Sequence, residues 1–297
     1  MKSPTGTNEP DTFVERARKV LIDYEGPDRV VSSIEYAELY RARAKPKVSL
    51  CSGLPTLDEA VSSFETGELI VLSGPTGMGK TLLCDTIIRN FRKDSHFSLF
   101  LTFEVTPQTI ALKHDTPETV VFLPLEHRGR DLEWIFFRVL EAKTKYNCEA
   151  VFIDHLHYLI DMGSQQNISL EIGKVMRAIK RMALEADVCI FIVCHVKQLD
   201  MEQEPSIYHL RDSSFVGQEA DTVLMVWRRW DLSDDGRKLD TRLQGLATLK
   251  VEKARRSGIM GQKINIKKDG HVLVESKDEP ELKRRVKQTQ KDDWFPT

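Results

Sequence analysis

The chain has 297 residues, of which 41% are hydrophobic and 30% are charged, and its formal net charge at pH 7 is −2. This length suits one large α/β domain with short appendages, and the composition excludes a wholly disordered chain. Because the chain as a whole is not a polycation, any nucleic-acid binding has to depend on local basic patches.

The sequence predicts neither a membrane span nor a secretory signal. Its longest strongly apolar run, Val188–Cys194, is far shorter than the roughly 20 residues that a span needs, and the opening MKSPTGTNEPDTF has no apolar segment. The five cysteines show no CxxC and no metal-ligand spacing. We therefore expect reduced thiols, no membrane partner, and a protein of the cytoplasm or of a nucleoid or organelle matrix.

Residues 1–48 are polar and contain four prolines. They are predicted to form an N-terminal arm or linker with two short helices, Thr12–Tyr24 and Ser32–Arg43. This arm could pack on a neighbouring subunit, and a disordered leader is the alternative interpretation.

Apolar strand-like segments alternate with helical patterns from residue 49 onwards. The clearest helical pattern is the three-four period of apolar residues between Ile172 and Ala186. Strands that alternate with helices indicate an α/β fold with a mostly parallel twisted sheet flanked by helices. The predicted strands are Leu69–Ser73, Ser98–Phe103, Val120–Leu123, Ala150–Asp154, Val188–His195 and Thr222–Trp227.

The segments after residue 230 have a different pattern, typical of a C-terminal β meander. Its predicted strands are Leu246–Glu252, Lys263–Lys267 and His271–Glu275, and the pair Asp269-Gly270 suits a tight turn between the last two. The main domain is thus expected to span residues 49–276, and residues 277–297 to form a flexible charged tail.

A phosphate-binding motif, GPTGMGKT, follows the first predicted strand and opens a helix at Leu82–Asn90. Strand, loop and helix are the context in which GxxxxGK[ST] binds nucleotide phosphates. The backbone N–H groups and the helix N-terminus would face the phosphates, Lys80 would reach the β- and γ-phosphates, and the Thr81 hydroxyl would bind Mg²⁺. A chance match in a glycine-rich turn is the alternative. The nucleotide-binding residues predicted here are Gly74, Pro75, Thr76, Gly77, Met78, Gly79, Lys80, Thr81 and Leu82, and the predicted cofactors are ATP and Mg²⁺.

Three further polar side chains end predicted strands, where ligand sites of parallel sheets lie. Asp154 is expected to hold the metal's water shell, although a strand-end carboxylate can also be a simple cap. Glu104 is the candidate for activating water, with a surface acid as the alternative. His195 is the candidate for contacting the γ-phosphate, with a structural histidine as the alternative. His155 follows Asp154 directly and is the other candidate for the water-activating role.

Together these segments resemble the RecA-like motor domain of hexameric replicative helicases, the family of DnaB, Twinkle and the phage primase-helicases. The resemblance covers about Leu50 to Glu275. GELIVLSGPTGMGKT and LTFE resemble the family's first two motifs, and VFIDHLHYL resembles its IDxLQ strand, with His157 where Gln is usual. IVCHVK, LRDSSFVGQEADTVLMV and VEKARRSGIMG are similar to later motifs in the same order.

The resemblance implies the catalytic roles of Glu104 and His195 and adds Arg255 as an arginine finger, with Lys253 as its companion. It also implies a homo-oligomer, a hexameric ring, that hydrolyses ATP between subunits to move on single-stranded DNA and unwind duplex in the 5′ to 3′ direction. A solvated basic face is the alternative for Arg255. At the level of function, the alternatives are a RecA- or KaiC-like ATPase without unwinding activity and a non-catalytic accessory protein.

The sequence also departs from the family. It shows no helical collar or primase pattern, so a stand-alone motor is expected. The loop 198–214, which is expected to line the pore in this family, contains Asp200, Glu202 and Glu204, and Arg211 is its only basic residue. This charge is unfavourable for contacts with DNA phosphates. Lys174, Arg177 and Arg181 share a helical face that either supplies positive charge or is simply solvated. The tail end, Asp292–Thr297, is either a docking peptide for a replication partner or unattached.

Overall fold

The computed structural model describes residues 12–43, 46–126, 128, 131–160, 168–197, 203–210, 213–228, 231–232, 238–239 and 246–277. The chain divides into two compact units, Met1–Pro46 and Lys47–Thr297. Two of the predicted features fall wholly or partly outside the described residues. They are residues 198–202, 211 and 212 of the loop 198–214, which include Arg211, and the tail from residue 278 onwards with Asp292–Thr297.

The first unit contains two helices, α1 (Phe13–Leu21) and α2 (Ser33–Arg43). Helix α1 begins at a reciprocal cap: the Thr12 hydroxyl accepts the Glu15 N–H at 3.3 Å, and the Glu15 carboxylate accepts the Thr12 N–H at 3.1 Å. Such a capping box satisfies two N–H groups that a helix start leaves unpaired. Both helices were predicted from the sequence, and α1 ends three residues earlier than expected.

An eight-stranded sheet forms the centre of the second unit, in the order β12-β11-β10-β7-β3-β6-β5-β4. The five strands from β7 to β4 are parallel, and β10, β11 and β12 are added antiparallel. The strands are β1 (Ser49–Leu50), β2 (Phe64–Glu65), β3 (Leu69–Gly74), β4 (Phe97–Thr102), β5 (Cys148–Asp154), β6 (Cys189–His195), β7 (Thr222–Trp227), β8 (Asp231–Leu232), β9 (Lys238–Leu239), β10 (Leu246–Ala254), β11 (Gln262–Asp269) and β12 (Val272–Glu275). Two short antiparallel pairs, β1-β2 and β8-β9, complete the strands.

The predicted parallel core and C-terminal meander are thus present, but the predicted strand Val120–Leu123 is wrong. Only Phe122 pairs there, in a single bridge to Leu99 of β4. Its carbonyl accepts the Phe100 N–H at 2.8 Å, and its N–H donates to Ser98 at 2.9 Å. The segment therefore touches the outer edge of β4 at one residue and does not continue as a ninth strand.

Helices cover both faces of the sheet, because the side chains of its strands alternate between two apolar cores. Ile70 and Leu72 of β3 belong to the core that contains Leu83, whereas Leu69 and Val71 belong to the core that contains Ile179. The helices of this unit are α3 (Pro55–Val61), α4 (Lys80–Lys93), α5 (Pro107–Ala111), α6 (Leu132–Tyr146), α7 (Ile168–Ala186) and α8 (Ser213–Glu219), with 3₁₀ turns at Leu156–Leu159 and Ile207–His209. None of the helices in the described part of the chain has the length and apolar character required to cross a bilayer.

Phe191 of β6 lies at the centre of one core and is fully buried. Its ring stacks on Phe152 with centroids 4.6 Å apart and also contacts Phe64 at 5.0 Å and Phe91 at 5.9 Å. Burial of large aromatic side chains on paired strands holds the strands in place, since each contributes a large apolar surface.

We predict that Phe191→Ala lowers the free energy of unfolding by about 3–5 kcal/mol, because it leaves a cavity among three aromatic rings. Urea unfolding followed by circular dichroism measures the change. The matched control is Phe137→Ala on α6, whose side chain is exposed and whose loss should change the free energy by less than about 0.5 kcal/mol. Equal effects of the two substitutions would contradict this description of the core.

Candidate active site

Four adjacent strands, β3, β6, β5 and β4, bring the predicted site residues to one edge of the sheet. In the register of the sheet, Gly74 is paired with His195, and Thr102 is paired with Asp154. Glu104 follows Thr102 by two residues. The carboxyl ends of parallel strands share one edge, so these residues, which are far apart in sequence, lie side by side.

The phosphate loop has a backbone that only glycine permits at its first position. Gly74 has φ +146°, and a Cβ there would lie 2.0 Å from the carbonyl oxygen of Val226 on the neighbouring strand. Gly79, with φ +103°, is the N-cap of α4 and turns the chain into that helix. The positive end of α4 therefore lies directly after the loop that follows β3, and a helix N-terminus attracts anions.

Lys80, the first residue of α4, is only 6% exposed. Its ammonium group donates hydrogen bonds to the carbonyl oxygens of Gly74 at 2.9 Å and Pro75 at 3.0 Å. Burial lowers the pKa of Lys80, and the nearby carboxylates of Asp154 and Glu104 oppose this shift. The cation is thus folded back on its own loop, with no direct ion pair to a carboxylate among the described residues.

Thr81 and Asp154 are joined across the site, because the Thr81 hydroxyl donates to Asp154 Oδ2 at 3.0 Å. Asp154 is fully buried, and its other oxygen, Oδ1, has no hydrogen-bond partner among the described residues. Burial raises the pKa of this carboxyl group, and the hydrogen bond from Thr81 opposes the shift. A buried carboxylate oxygen without a partner beside a hydroxyl is a donor set that suits Mg²⁺, which prefers oxygen ligands.

Glu104 extends beyond β4 and remains 43% exposed at its side chain. Its Oε2 lies 3.3 Å from Nδ1 of His155, which is buried directly after Asp154. Of the two candidates for activating water, the acid is thus the more accessible, and the histidine lies behind it. The sequence signal for the contact between His155 and Glu104 is that His155 directly follows Asp154, which ends a strand.

His195 is half-buried beside His155, with ring centroids 4.3 Å apart and planes at 77°. Burial, followed by the charge of Lys80, lowers the pKa of His195 to about 4. Its Nδ1 has no hydrogen-bond partner among the described residues. The ring is therefore neutral at pH 7 and carries a buried nitrogen, unpartnered in the described part of the chain, beside Gly74, the last residue of β3.

Arg255 and Lys253 lie at the opposite end of the strands, where the parallel strands begin. They flank Ala254 of β10, which is paired with Thr222, the first residue of β7. Thr222 is in turn paired with Ile70 of β3. Gly74 is four residues further along β3, a distance of about 13 Å. The structure therefore does not bring Arg255 or Lys253 to the phosphate loop of the same chain.

Both of these basic side chains are held at the turn between α8 and β7. The ammonium group of Lys253 donates to the carbonyl oxygens of Gly217 at 2.8 Å and Ala220 at 2.6 Å. The Arg255 guanidinium donates to Asp221 Oδ1 at 3.0 Å. Asp221 is not among the site residues predicted from the sequence. The sequence signal for it is a carboxylate placed directly before a buried strand.

The other basic residues that could contact DNA have acidic partners. On α7, Lys174, Arg177 and Arg181 pair with Glu171 at 3.5 Å, Glu219 at 3.7 Å and Glu185 at 2.6 Å, respectively. In the described part of the acidic loop, Glu204 pairs with Lys250 at 3.0 Å and Lys263 at 2.7 Å. Paired, partly exposed charges of this kind are typical of a solvated surface.

We predict that in the nucleotide-free protein His195 takes up its proton only near pH 4, whereas in the unfolded chain it does so near the ordinary value of about 6.5. The unfolding free energy should therefore fall as the pH drops from about 6.5 to about 4, because the unfolded state binds more protons there. NMR titration of the imidazole signals, assigned with His195→Gln and recorded for the folded and the urea-unfolded protein, measures the pKa of His195 in each state. A midpoint near 6.5 in the folded protein would contradict the burial argument.

The chain matches the model of the family described as "DnaB-like helicase C terminal domain" over residues 124–272, half of its length. Among its relatives, a probable plasmid replicative DNA helicase of Chlamydia psittaci is 24% identical over 274 residues, which covers 79% of this chain and 57% of the relative. The replicative DNA helicase DnaB of Mycoplasma pneumoniae is 26% identical, covering 64% of this chain and 49% of the relative. The chain thus spans about half the length of the curated relatives it matches.

Solved structures with a similar fold are helicase ATPase domains. One solved ATPase domain has a TM-score of 0.61 and 16% identity, covering 79% of this chain and 93% of that one. A DnaB-like replicative helicase, solved in a study of its interactions with primase, has a TM-score of 0.63 and 17% identity, covering 88% of this chain and 71% of that one. The fold is therefore that of RecA-like helicase ATPase domains, and the chain belongs to the DnaB-like helicase C-terminal domain family.

Proposed function

We propose that this chain is an ATP-driven DNA helicase motor. One observation carries the proposal: the phosphate loop, Asp154, Glu104 and His195 lie together at the carboxyl ends of the parallel strands, while Arg255 lies at their opposite ends. Such an arrangement leaves each site one cation short until a second subunit supplies it. The names of the relatives, replicative DNA helicases, support the same activity.

The nucleotide is held by residues 74–82. The loop N–H groups and Lys80 bind the phosphates, and the Lys80 ammonium exchanges its bonds with the loop carbonyls for phosphate oxygens. Thr81 and Asp154 hold Mg²⁺, which neutralises charge on the phosphates when bound. The unpartnered Oδ1 of Asp154 supports this assignment.

Glu104 takes the proton from the attacking water. Its carboxylate is exposed enough to meet a water molecule, and His155 contacts the oxygen Oε2 and so restricts the orientation of the side chain. His195 is neutral at pH 7 and donates a hydrogen bond from its ring N–H to a γ-phosphate oxygen, so its contacts depend on whether that group is present. The contact of Glu104 with His155 and the pairing of His195 with Gly74 in the sheet support these two roles.

Arg255, which directly follows β10, completes the site of an adjoining subunit, and Lys253 supports it from the end of β10. A guanidinium group beside the γ-phosphate stabilises charge in the transition state and, in related enzymes, is worth about 10³–10⁵ in rate. Because Arg255 cannot reach its own phosphate loop, hydrolysis requires an oligomer, which we propose to be a hexameric ring formed by the unit that contains residues 49–276.

The polymer substrate is single-stranded DNA, and movement runs 5′ to 3′, as in the family that this chain resembles. The tail after residue 277 is proposed as the contact for a replication partner, and the protein as cytoplasmic. A second candidate function is a RecA- or KaiC-like ATPase without unwinding activity. The ion pairs of Glu204 with Lys250 and Lys263 favour it, because they neutralise basic charge beside the proposed DNA loop.

Strand separation of forked DNA tests the proposal and separates the two candidates. With ATP and Mg²⁺ the protein should unwind a fork that has a free 5′ arm. Glu104→Gln should still bind ATP but lose hydrolysis and unwinding, since the amide keeps the shape and cannot act as a base. Glu133→Gln, an exposed substitution on α6, is the matched control and should behave as the unmodified protein. DNA-stimulated hydrolysis without unwinding would select the second candidate.

Mixed rings test the placement of Arg255 in a neighbouring site. We predict that Lys80→Ala and Arg255→Ala are each inactive as uniform rings, while their mixture regains part of the ATPase activity. An intact phosphate loop then meets an intact finger across some interfaces. Arg255→Ala should also keep its nucleotide affinity, measured by fluorescent ATP-analogue binding. A mixture as inactive as its parents, with assembly verified by mass photometry, would mean that Arg255 acts within its own subunit or only structurally.

A further inference from the structure

Asp221 joins three elements of the fold through one buried residue. It lies directly before β7, and its backbone N–H donates to the carbonyl oxygen of Leu69 at 2.8 Å. In return the Leu69 N–H donates to Asp221 Oδ2, also at 2.8 Å. Asp221 is therefore bonded twice to the first residue of β3, the strand that leads without interruption to Gly74 and the phosphate loop.

The same residue is also bonded twice to Arg255. The Asp221 carbonyl oxygen accepts the Arg255 backbone N–H at 2.8 Å, and Oδ1 accepts its guanidinium Nη1 at 3.0 Å. A third contact comes from Lys180 of α7, whose ammonium group donates to Oδ2 at 2.6 Å. One carboxylate thus lies between two cations, and neither oxygen is without a partner.

The Arg255 side chain is anchored at one side and open at the other. Its second bond runs from Nη2 to the carbonyl oxygen of Gln218 at 3.0 Å. A guanidinium has five N–H groups, and these two bonds use two of them, which leaves three without a partner among the described residues. The side chain is 54% exposed, so the remaining N–H groups are accessible to a ligand from outside the chain.

An exposed arginine that lacks such anchors samples many rotamers, and each of them has to be given up when it engages a phosphate. Two fixed bonds remove most of that freedom before an encounter. The charge of Asp221 contributes to this effect, because hydrogen bonds between ionised partners are stronger than neutral ones. Orientation of a catalytic group before reaction is a general source of rate enhancement.

We propose that Asp221 is the positioning residue for the arginine finger: it holds Arg255 in the orientation that reaches the neighbouring site and ties it to the phosphate-loop strand of its own subunit. This inference rests on the proposed function, in which Arg255 acts across an interface. Asp221 itself touches no nucleotide. Its consequence is that the finger of one subunit and the phosphate loop of the same subunit are mechanically joined through β3.

The substitution Asp221→Asn distinguishes the bond of Asp221 to Leu69 from its bond to Arg255. The asparagine carbonyl oxygen can still accept the Leu69 N–H, so β3 keeps its anchor. The amide carries no charge and its N–H groups face Arg255, so the finger loses its acceptor. The matched control is Lys180→Met, which removes the other cation and leaves the bond between Asp221 and Arg255 in place.

The experiment places Asp221→Asn in either partner of the mixed ring described above. In the Lys80→Ala partner, which donates the finger, it should lower the regained kcat by roughly tenfold, with the KM for ATP unchanged. In the Arg255→Ala partner, which provides the phosphate loop, it should change kcat less than about twofold. Lys180→Met in the finger-donating partner should leave kcat close to that of the parental mixture.

Each other outcome overturns the inference. Equal losses in both arms would mean that Asp221 supports only the fold of its own subunit, and a loss confined to the phosphate-loop arm would assign it to β3. An equal loss with Lys180→Met would attribute the effect to packing around α7. If the parental mixture itself regains no activity, the placement of Arg255 across the interface fails and this inference fails with it. An active parental mixture therefore distinguishes failure of the inference from failure of the proposed function.

Discussion

Parallel pairing of β3, β6, β5 and β4 is the constraint on which the nucleotide site depends. The pairing in register sets Gly74 beside His195 and Thr102 beside Asp154. A shift of one residue would turn every side chain of a strand to the opposite face of the sheet. Strands β3 and β5 are buried along their whole length, so such a shift would disrupt both apolar cores. The packing of apolar side chains, more than any bond within the site, therefore positions the polar groups.

Lys80 and Asp154 are buried charges without an ion-pair partner among the described residues, and a bound nucleotide with its metal would supply one to each. Burial lowers the pKa of Lys80 and raises that of Asp154, so in both cases it disfavours the charged form. Their present partners are the loop carbonyls and the Thr81 hydroxyl, which are neutral. Phosphate oxygens beside Lys80 and a divalent cation beside Asp154 would supply the missing opposite charges. Burial of unpaired charge is costly in an apolar fold, and ligand binding is a physical reason for keeping it.

The phosphate loop could be predicted from the sequence because its signals are local: an apolar strand, glycines at three positive-φ positions, and a helix start. The residue types at the other strand ends were also readable, but their proximity depends on strand order, which no local pattern contains, and only the resemblance to a family supplied it. The error at Val120–Leu123 arose because a short apolar run does not reveal how many of its residues pair with a neighbouring strand. Asp221 was missed since its importance comes from contacts with Leu69 and Arg255, which are distant in sequence.

The antiparallel addition of β10 to β7 has the widest consequence for function, since it places Arg255 away from the phosphate loop of its own chain. The proposed hydrolysis therefore depends on a site shared between two subunits. The most direct measurement is an electron cryomicroscopy structure of the protein with a non-hydrolysable ATP analogue, Mg²⁺ and single-stranded DNA. We predict a ring in which each triphosphate lies between the loop 74–81 of one subunit and Arg255 of the next, within hydrogen-bond distance of its γ-phosphate. A ring in which Arg255 stays remote from every nucleotide, or a nucleotide-bound monomer, would contradict the account.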